Sequence, residues 1–390
     1  MMSRQRVCQM SHLAARFVGG ADVHVVDPVV DLRKVFEQEE RLKYSIDSRN
    51  LKIDLEKVKM DYNEWFSIYK QWKDITDKEA SNILKRNMRE KKDGLLNALA
   101  LPNFINHIGT KPTTILKSSK HAQYLAQQGL MRIDKINHVV HLVGFPATVQ
   151  KMIKQQLIEL FSFCHQMSPS YFARSAILEA LNVDKKKYLS FSDGSTHFPL
   201  TYLVGNSLAS MVTPFIKIQF TENNQWPISM QCAGAGYTQK KNEIDLIHSR
   251  QRMKHCILNM TQTSEEIEML VNEANVRIGA YLDEALGLEV EVRELRGSEL
   301  ENYESQAYVI ENRGLALSRI ARIDDYVAQR LNICHAGVEK TDTTAAIDSG
   351  FVQMAYIQTD IDRIIARLID DLIEGKEPPK LLRDAIKRTA

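Results

Sequence analysis

The chain has 390 residues, with 51 Lys and Arg against 49 Asp and Glu and a formal charge of +2. At roughly 150 residues per domain, with 44% apolar and 26% charged residues, this is a multi-domain globular composition. It excludes a disordered chain, a small stapled fold and a protein basic throughout. Cys8, Cys164, Cys232, Cys256 and Cys334 are scattered with no CxxC pair, so no disulfide framework or thiolate zinc site is expected, and a reducing compartment fits. No apolar run approaches the roughly 18 residues that a spanning helix needs, so no membrane insertion is expected.

The first acidic residue is Asp22, preceded by Arg4, Arg6 and Arg16 among small and apolar residues. Residues 1–25 therefore read as a mitochondrial transit segment, which predicts delivery to the matrix; a disordered basic tail is the alternative. Residues 26–104 read as a helical hairpin. Leu51, Leu55, Val58, Tyr62, Trp65, Tyr69 and Trp72 recur at alternating steps of four and three, lining one helix face with an apolar seam. After a polar break at Asp74 to Asp77, Ala80, Leu84, Met88, Leu95 and Ala98 predict a returning helix. The seam's bulky aromatics could instead pack on the body of the protein. Lys85, Arg86, Arg89, Lys91 and Lys92 form a dense basic run that could neutralise phosphates of a folded RNA, or could be a solvated helix face.

From residue 105 to 390, short β-branched runs at His138–Phe145 and Pro214–Phe220 alternate with helical stretches at 149–163 and 264–286. This predicts an α+β domain on a mainly antiparallel sheet flanked by helices. Motif chemistry is sparse. Gly234, Ala235 and Gly236 lack the Lys-Ser/Thr that completes a phosphate loop, and nucleophile elbows and HExxH are missing. On motifs alone an interaction protein is favoured over an enzyme, with no cofactor and no metal expected.

The order of these features resembles seryl-tRNA synthetase over nearly the whole chain. Matching stretches include Asp31-Leu32-Arg33, Ala100 to Ile105, Gly144 to Cys164, Thr201 to Val204, Gln251 with Lys254, Leu286-Gly287-Leu288, Asp325 to Ile333, and Pro379 with Leu382 and Arg383. The resemblance implies a class II aminoacyl-tRNA synthetase-like fold, with an N-terminal arm that binds tRNA and a dimeric catalytic domain. It also implies that the catalytic residues are gone. The serine loop's carboxylate falls on Leu208, after Asn206; the Arg and Glu of the second motif fall on Gln239 and Lys241. Two further glutamates fall on Met253 and Cys256, the metal-linked Glu on Ala316 and a substrate-contacting Asn on Arg322. The third motif keeps only Arg363, preceded by a glycine-free stretch.

Within the family, the likeness is to a mitochondrial paralogue of insects in which the fold is kept and catalysis is lost. Val149, Ile153, Leu157, Leu160 and Phe161 then read as candidates for the dimer interface, or as residues packing on their own sheet. The implied partner is the active mitochondrial seryl-tRNA synthetase, as a heterodimer, with mitochondrial serine tRNA; a homodimer is the alternative. A residual ATP-dependent aminoacyl ligase on a non-tRNA substrate, or an independent regulatory scaffold, are the other functions left open.

Overall fold

The computed structural model describes residues 29–107, 109–112, 120–191, 201–221, 223–239, 241–336 and 350–389. The transit segment expected at residues 1–25 lies outside them, as does Cys8. No helix of the described residues is long and apolar enough to cross a membrane.

Two short helices, α1 (Leu32–Glu37) and α2 (Glu39–Ser48), precede the hairpin, which is built from α3 (Leu55–Asp74), α4 (Lys78–Glu90) and α5 (Lys92–Leu99). Asp54 and Asp77 start α3 and α4 by accepting from the backbone N–H of Lys57 and Ala80, at 3.1 and 2.9 Å. The polar break expected at Asp74 to Asp77 is thus the turn of the hairpin. Along α3 the aromatic seam forms a ladder: Tyr62 to Trp65, Trp65 to Tyr69 and Tyr69 to Trp72 have ring centroids 6.3, 5.5 and 6.0 Å apart. Leu55, Val58, Tyr62 and Trp65 are buried against Met88, Leu95, Ala98 and Leu99 of the return, and also against Leu32 and Phe36. The two readings of the seam are both partly right, because this core runs on without interruption into the body through Ala173, Ile177 and Leu331.

The body is a seven-stranded sheet. In chain order its strands are β1 (His165–Gln166), β2 (Ile228–Tyr237), β3 (Gln251–Thr261), β4 (Glu291–Glu294), β5 (Gln306–Asn312), β6 (Leu315–Asp324) and β7 (Gln353–Asp360). Across the sheet they run β4-β5-β6-β7-β3-β2-β1, antiparallel except for the short β1 at the edge. Helices α6 (Phe145–Leu160), α7 (Ser264–Ala280) and α8 (Ile361–Ile373) cover one face, and α9 (Lys380–Thr389) packs on α6. Beneath them Ile153, Leu157, Ile257, Ile278, Ile320, Ile357 and Ile365 form an apolar core. The α+β architecture expected from the sequence is what the chain adopts. Boundaries differ: the helices expected at 149–163 and 264–286 run Phe145–Leu160 and Ser264–Ala280, and the run Pro214–Phe220 yields only a two-residue strand, Gln219–Phe220, because Pro214 sits in a 3₁₀ turn at Thr213–Phe215.

The five residues expected at a dimer interface are turned inward. Val149, Ile153, Leu157 and Phe161 are at most 3% exposed, and Leu160 packs on the same core. The apolar stripe of α6 packs on its own sheet and on α8 and α9, with Leu160 alone of the five keeping partial exposure. The outward positions of the helix are Lys151, Gln155 and Glu159.

Candidate functional site

Opposite the helices the sheet carries a cleft of about 310 Å³. Its floor follows from strand alternation and register. Arg252 and Lys254 of β3 point into it, as do Tyr356 and Gln358 of β7 and Arg319 of β6, whereas the intervening His255 and Ile357 face the helices. Gly236 and Gly234 of β2 stand opposite Arg252 and Lys254. A Cβ on Gly236 would come within 2.7 Å of the Lys254 stem, and one on Gly234 within 2.6 Å of the Asn206 amide. Gly236 therefore makes room for a lysine and Gly234 for the Asn206 side chain, rather than for a phosphate loop. Lys187, Tyr188, Glu301, Tyr303, Thr238, Gln239 and Lys241 form the walls.

The carboxylates around this cleft are engaged. Lys187 holds Glu301 at 2.8 Å, and Arg319 Nε donates to Glu304 Oε1 at 2.8 Å. Asp360 sits between Arg252 at 3.3 Å and Arg363 at 3.5 Å, while Arg363 Nη1 donates to the carbonyl of Ala316 at 2.9 Å. Burial would lower the Arg319 pKa, but Glu304 raises it above the ordinary arginine range. Lys254 has a weaker partner: its Nζ donates to Gln358 Oε1 at 3.2 Å, an oxygen that also accepts from the Tyr356 hydroxyl at 3.3 Å. Burial, helped by Arg252, brings Lys254 down to about 8. Behind the cleft, burial and the neighbouring Asp360 push Asp362 up to about 7; Gln150 Nε2 and the Met253 N–H donate to it at 2.5 and 2.9 Å.

The structure divides the positions singled out by the sequence. Gln239 and Lys241 line the cleft, and Arg363 stands one step behind its wall. Leu208 is 4% exposed in the core, and Asn206 is pinned by its N–H to the Ala235 carbonyl at 2.8 Å. Cys256 is fully buried beneath Tyr356, whose hydroxyl oxygen lies 3.2 Å from its sulfur and shares its one proton between that sulfur and Gln358. Two positions do not belong to the site. Met253 packs on the helix-side core, and Arg322 turns toward α7, binding Asp324 Oδ1 at 2.6 Å and Ser264. The cleft arginine of β6 is instead Arg319, three residues earlier. It went unrecognised because the pairing of β6 with β5 slips at Ile310/Glu311, and a one-residue slip exchanges the faces of a strand. Lys187, Tyr188, Glu301 and Tyr303 carried no motif; they come from loops that only the fold brings together.

The basic run lies on the return of the hairpin. Lys85, Arg86, Arg89 and Lys91 are exposed and Lys92 is half-buried. Lys85 stands 5.7 Å from the Trp72 ring centroid, Arg86 is 3.8 Å from Glu90, and Lys91 is 2.8 Å from Glu64. Glu243, Asp245 and His248 come together on the loop between β2 and β3, close enough to hold a metal ion. Asp245, however, already accepts from the N–H groups of Ile247 and His248 at 2.8 and 2.7 Å.

No protein-family model matches the chain, and no curated protein matches it in sequence. Solved structures do. The chain is similar to the cytoplasmic serine-tRNA ligase of Naegleria fowleri in complex with AMP, with a TM-score of 0.71 at 12% identity, over 93% of this chain and 98% of that one. It is also similar to the prolyl-tRNA synthetase of Cryptosporidium parvum, with L-proline and AMP (TM-score 0.54, 11% identity) and with halofuginone and AMPPNP (0.57, 10%). These matches cover 65% and 68% of this chain, and it spans a little over half of those enzymes, 55% and 56%. At such identities the likeness is one of fold: a class II aminoacyl-tRNA synthetase-like α+β fold.

Proposed function

We propose that this protein is a non-catalytic mitochondrial paralogue of seryl-tRNA synthetase, of the insect type. In this reading it pairs with the active mitochondrial enzyme and supports binding and serylation of serine tRNA in the matrix. The observation that carries the reading is the state of the cleft carboxylates. Glu301, Glu304 and Asp360 are each closed by a cation of the chain itself, and the position matched to a metal-linked Glu is Ala316. Adenylate formation needs a phosphate clamp and carboxylates for magnesium. Losing one stabilising donor costs about 10²–10³ in rate, and here several are replaced together.

Pyrophosphate exchange with serine and a panel of other amino acids tests the catalytic half. No exchange above background is expected; robust exchange with any amino acid would restore the alternative of a ligase with an altered substrate.

A further inference from the structure

Among the described residues, five cationic side chains line the cleft, Lys187, Lys241, Arg252, Lys254 and Arg319, against the single carboxylate of Glu301. Three of them have acidic partners close by: Lys187 has Glu301, Arg319 has Glu304, and Arg252 shares Asp360 with Arg363. Lys254 makes no ion pair among the described residues. It is 5% exposed, the carboxylate opposite it across the sheet, Asp360, is already shared by Arg252 and Arg363, and Lys254 donates its hydrogen bond to a neutral amide. A buried charge that must share its carboxylate with two arginines is costly, and an anion in the cleft would lower that cost. Lys241 adds a second cation, with Arg252 and Arg363 beside it.

We propose that the cleft is a binding site for a compact polyanion, a phosphate or polycarboxylate without a nucleoside, seated on the Lys254 ammonium and flanked by Lys241 and Arg252. Size and shape favour the compact ligand. About 310 Å³ is the lower end of ligand cavities, and the aromatic or amide side chains of Tyr188, Tyr303, Tyr356 and Gln358 already fill its sides and floor. The proposal rests on the non-catalytic reading only in excluding the nucleotide.

Calorimetric titration of the full chain with inorganic phosphate, pyrophosphate, citrate and magnesium-ATP tests it, for wild type, Lys254→Met and Lys241→Gln. Pyrophosphate or citrate is expected to bind at submillimolar concentration or tighter. Lys254→Met should weaken that binding at least tenfold, Lys241→Gln a few-fold, and added salt should weaken it further. The phosphate and citrate arms separate the two sources of the anion. No binding of any of the three at about 10 mM would overturn the site. So would an undiminished affinity in a folded Lys254→Met protein, or magnesium-ATP binding more than tenfold tighter than pyrophosphate. Absence of anion binding together with absence of pyrophosphate exchange would leave the non-catalytic reading standing.

Discussion

Lys254 keeps its amine largely buried at the floor of the cleft, and this has a measurable effect on stability. Its pKa in the fold is about 8, below that of a free lysine, so between pH 8 and 10 the unfolded chain binds more protons at this site. Stability from this group therefore rises with pH across that window. Urea midpoints at pH 7 and 9.5 should show the rise in wild type and a flat profile in Lys254→Met, which should be more stable at pH 7 by on the order of 2 kcal/mol. An unchanged pH profile in the variant would mean that the ammonium is solvated. The sequence alone could align Lys254 with a family strand but not show its isolation, because that depends on where Asp360 and Gln358 lie across the sheet. Leu208 was the opposite case. An apolar residue in place of a carboxylate is visible in the sequence, and the fold buries it as its chemistry demands.

Among the elements, α3 was legible because its apolar spacing follows the helical period over five turns, with Asp54 as a cap. Trp65, 3% exposed and stacked on Tyr69, is the centre of the seam. Trp65→Ala should cost about 3–5 kcal/mol in chemical denaturation, and Met60→Ala, at a site 65% exposed, about 0.5 kcal/mol or less. Similar losses at the two positions would mean that the hairpin core is not formed as described. For α6 the spacing was equally clear but left two readings open, an interface or packing on its own sheet, since amphipathicity says that a face is covered and not what covers it. On the proposed reading, charge reversal at Lys85, Arg86, Arg89, Lys91 and Lys92, which run from α4 into the start of α5, should weaken tRNA binding. It should also reduce the slope of log affinity on log salt by about one for each phosphate no longer neutralised. Unchanged filter-binding curves would make this a solvated face.

At the level of the whole molecule, the fold became legible through the order of its segments rather than through any single one. The seven-stranded order could not be read from the sequence, because neighbours such as β7 and β3 are paired across about a hundred residues. On the proposed reading, epitope-tagged protein should fractionate with mitochondria and bring down the active seryl-tRNA synthetase. Recovery of self-copies alone, with normal serylation after depletion, would defeat the heterodimer. The root of the hairpin is held by the body from several sides. Tyr326 donates to the Leu101 carbonyl at 2.8 Å, Arg330 to that of Leu99 at 3.1 Å, Asn182 to that of Ala100 at 2.9 Å, and Arg49 to that of Asn103 at 2.9 Å. Arg49→Met should lower stability by about 3 kcal/mol while leaving a single unfolding transition, because several buried carbonyls lose their donor within one continuous core.

With its root fastened in this way and its seam merged into the main core, the hairpin acts as a fixed gauge rather than a swinging boom. Its longest helix measures about 30 Å, so anything gripping the tip is held at one set span from the sheet. Deleting or inserting a whole helical turn on both limbs would reset that span in steps of about 5.4 Å, a calibration that a flexible tether would ignore.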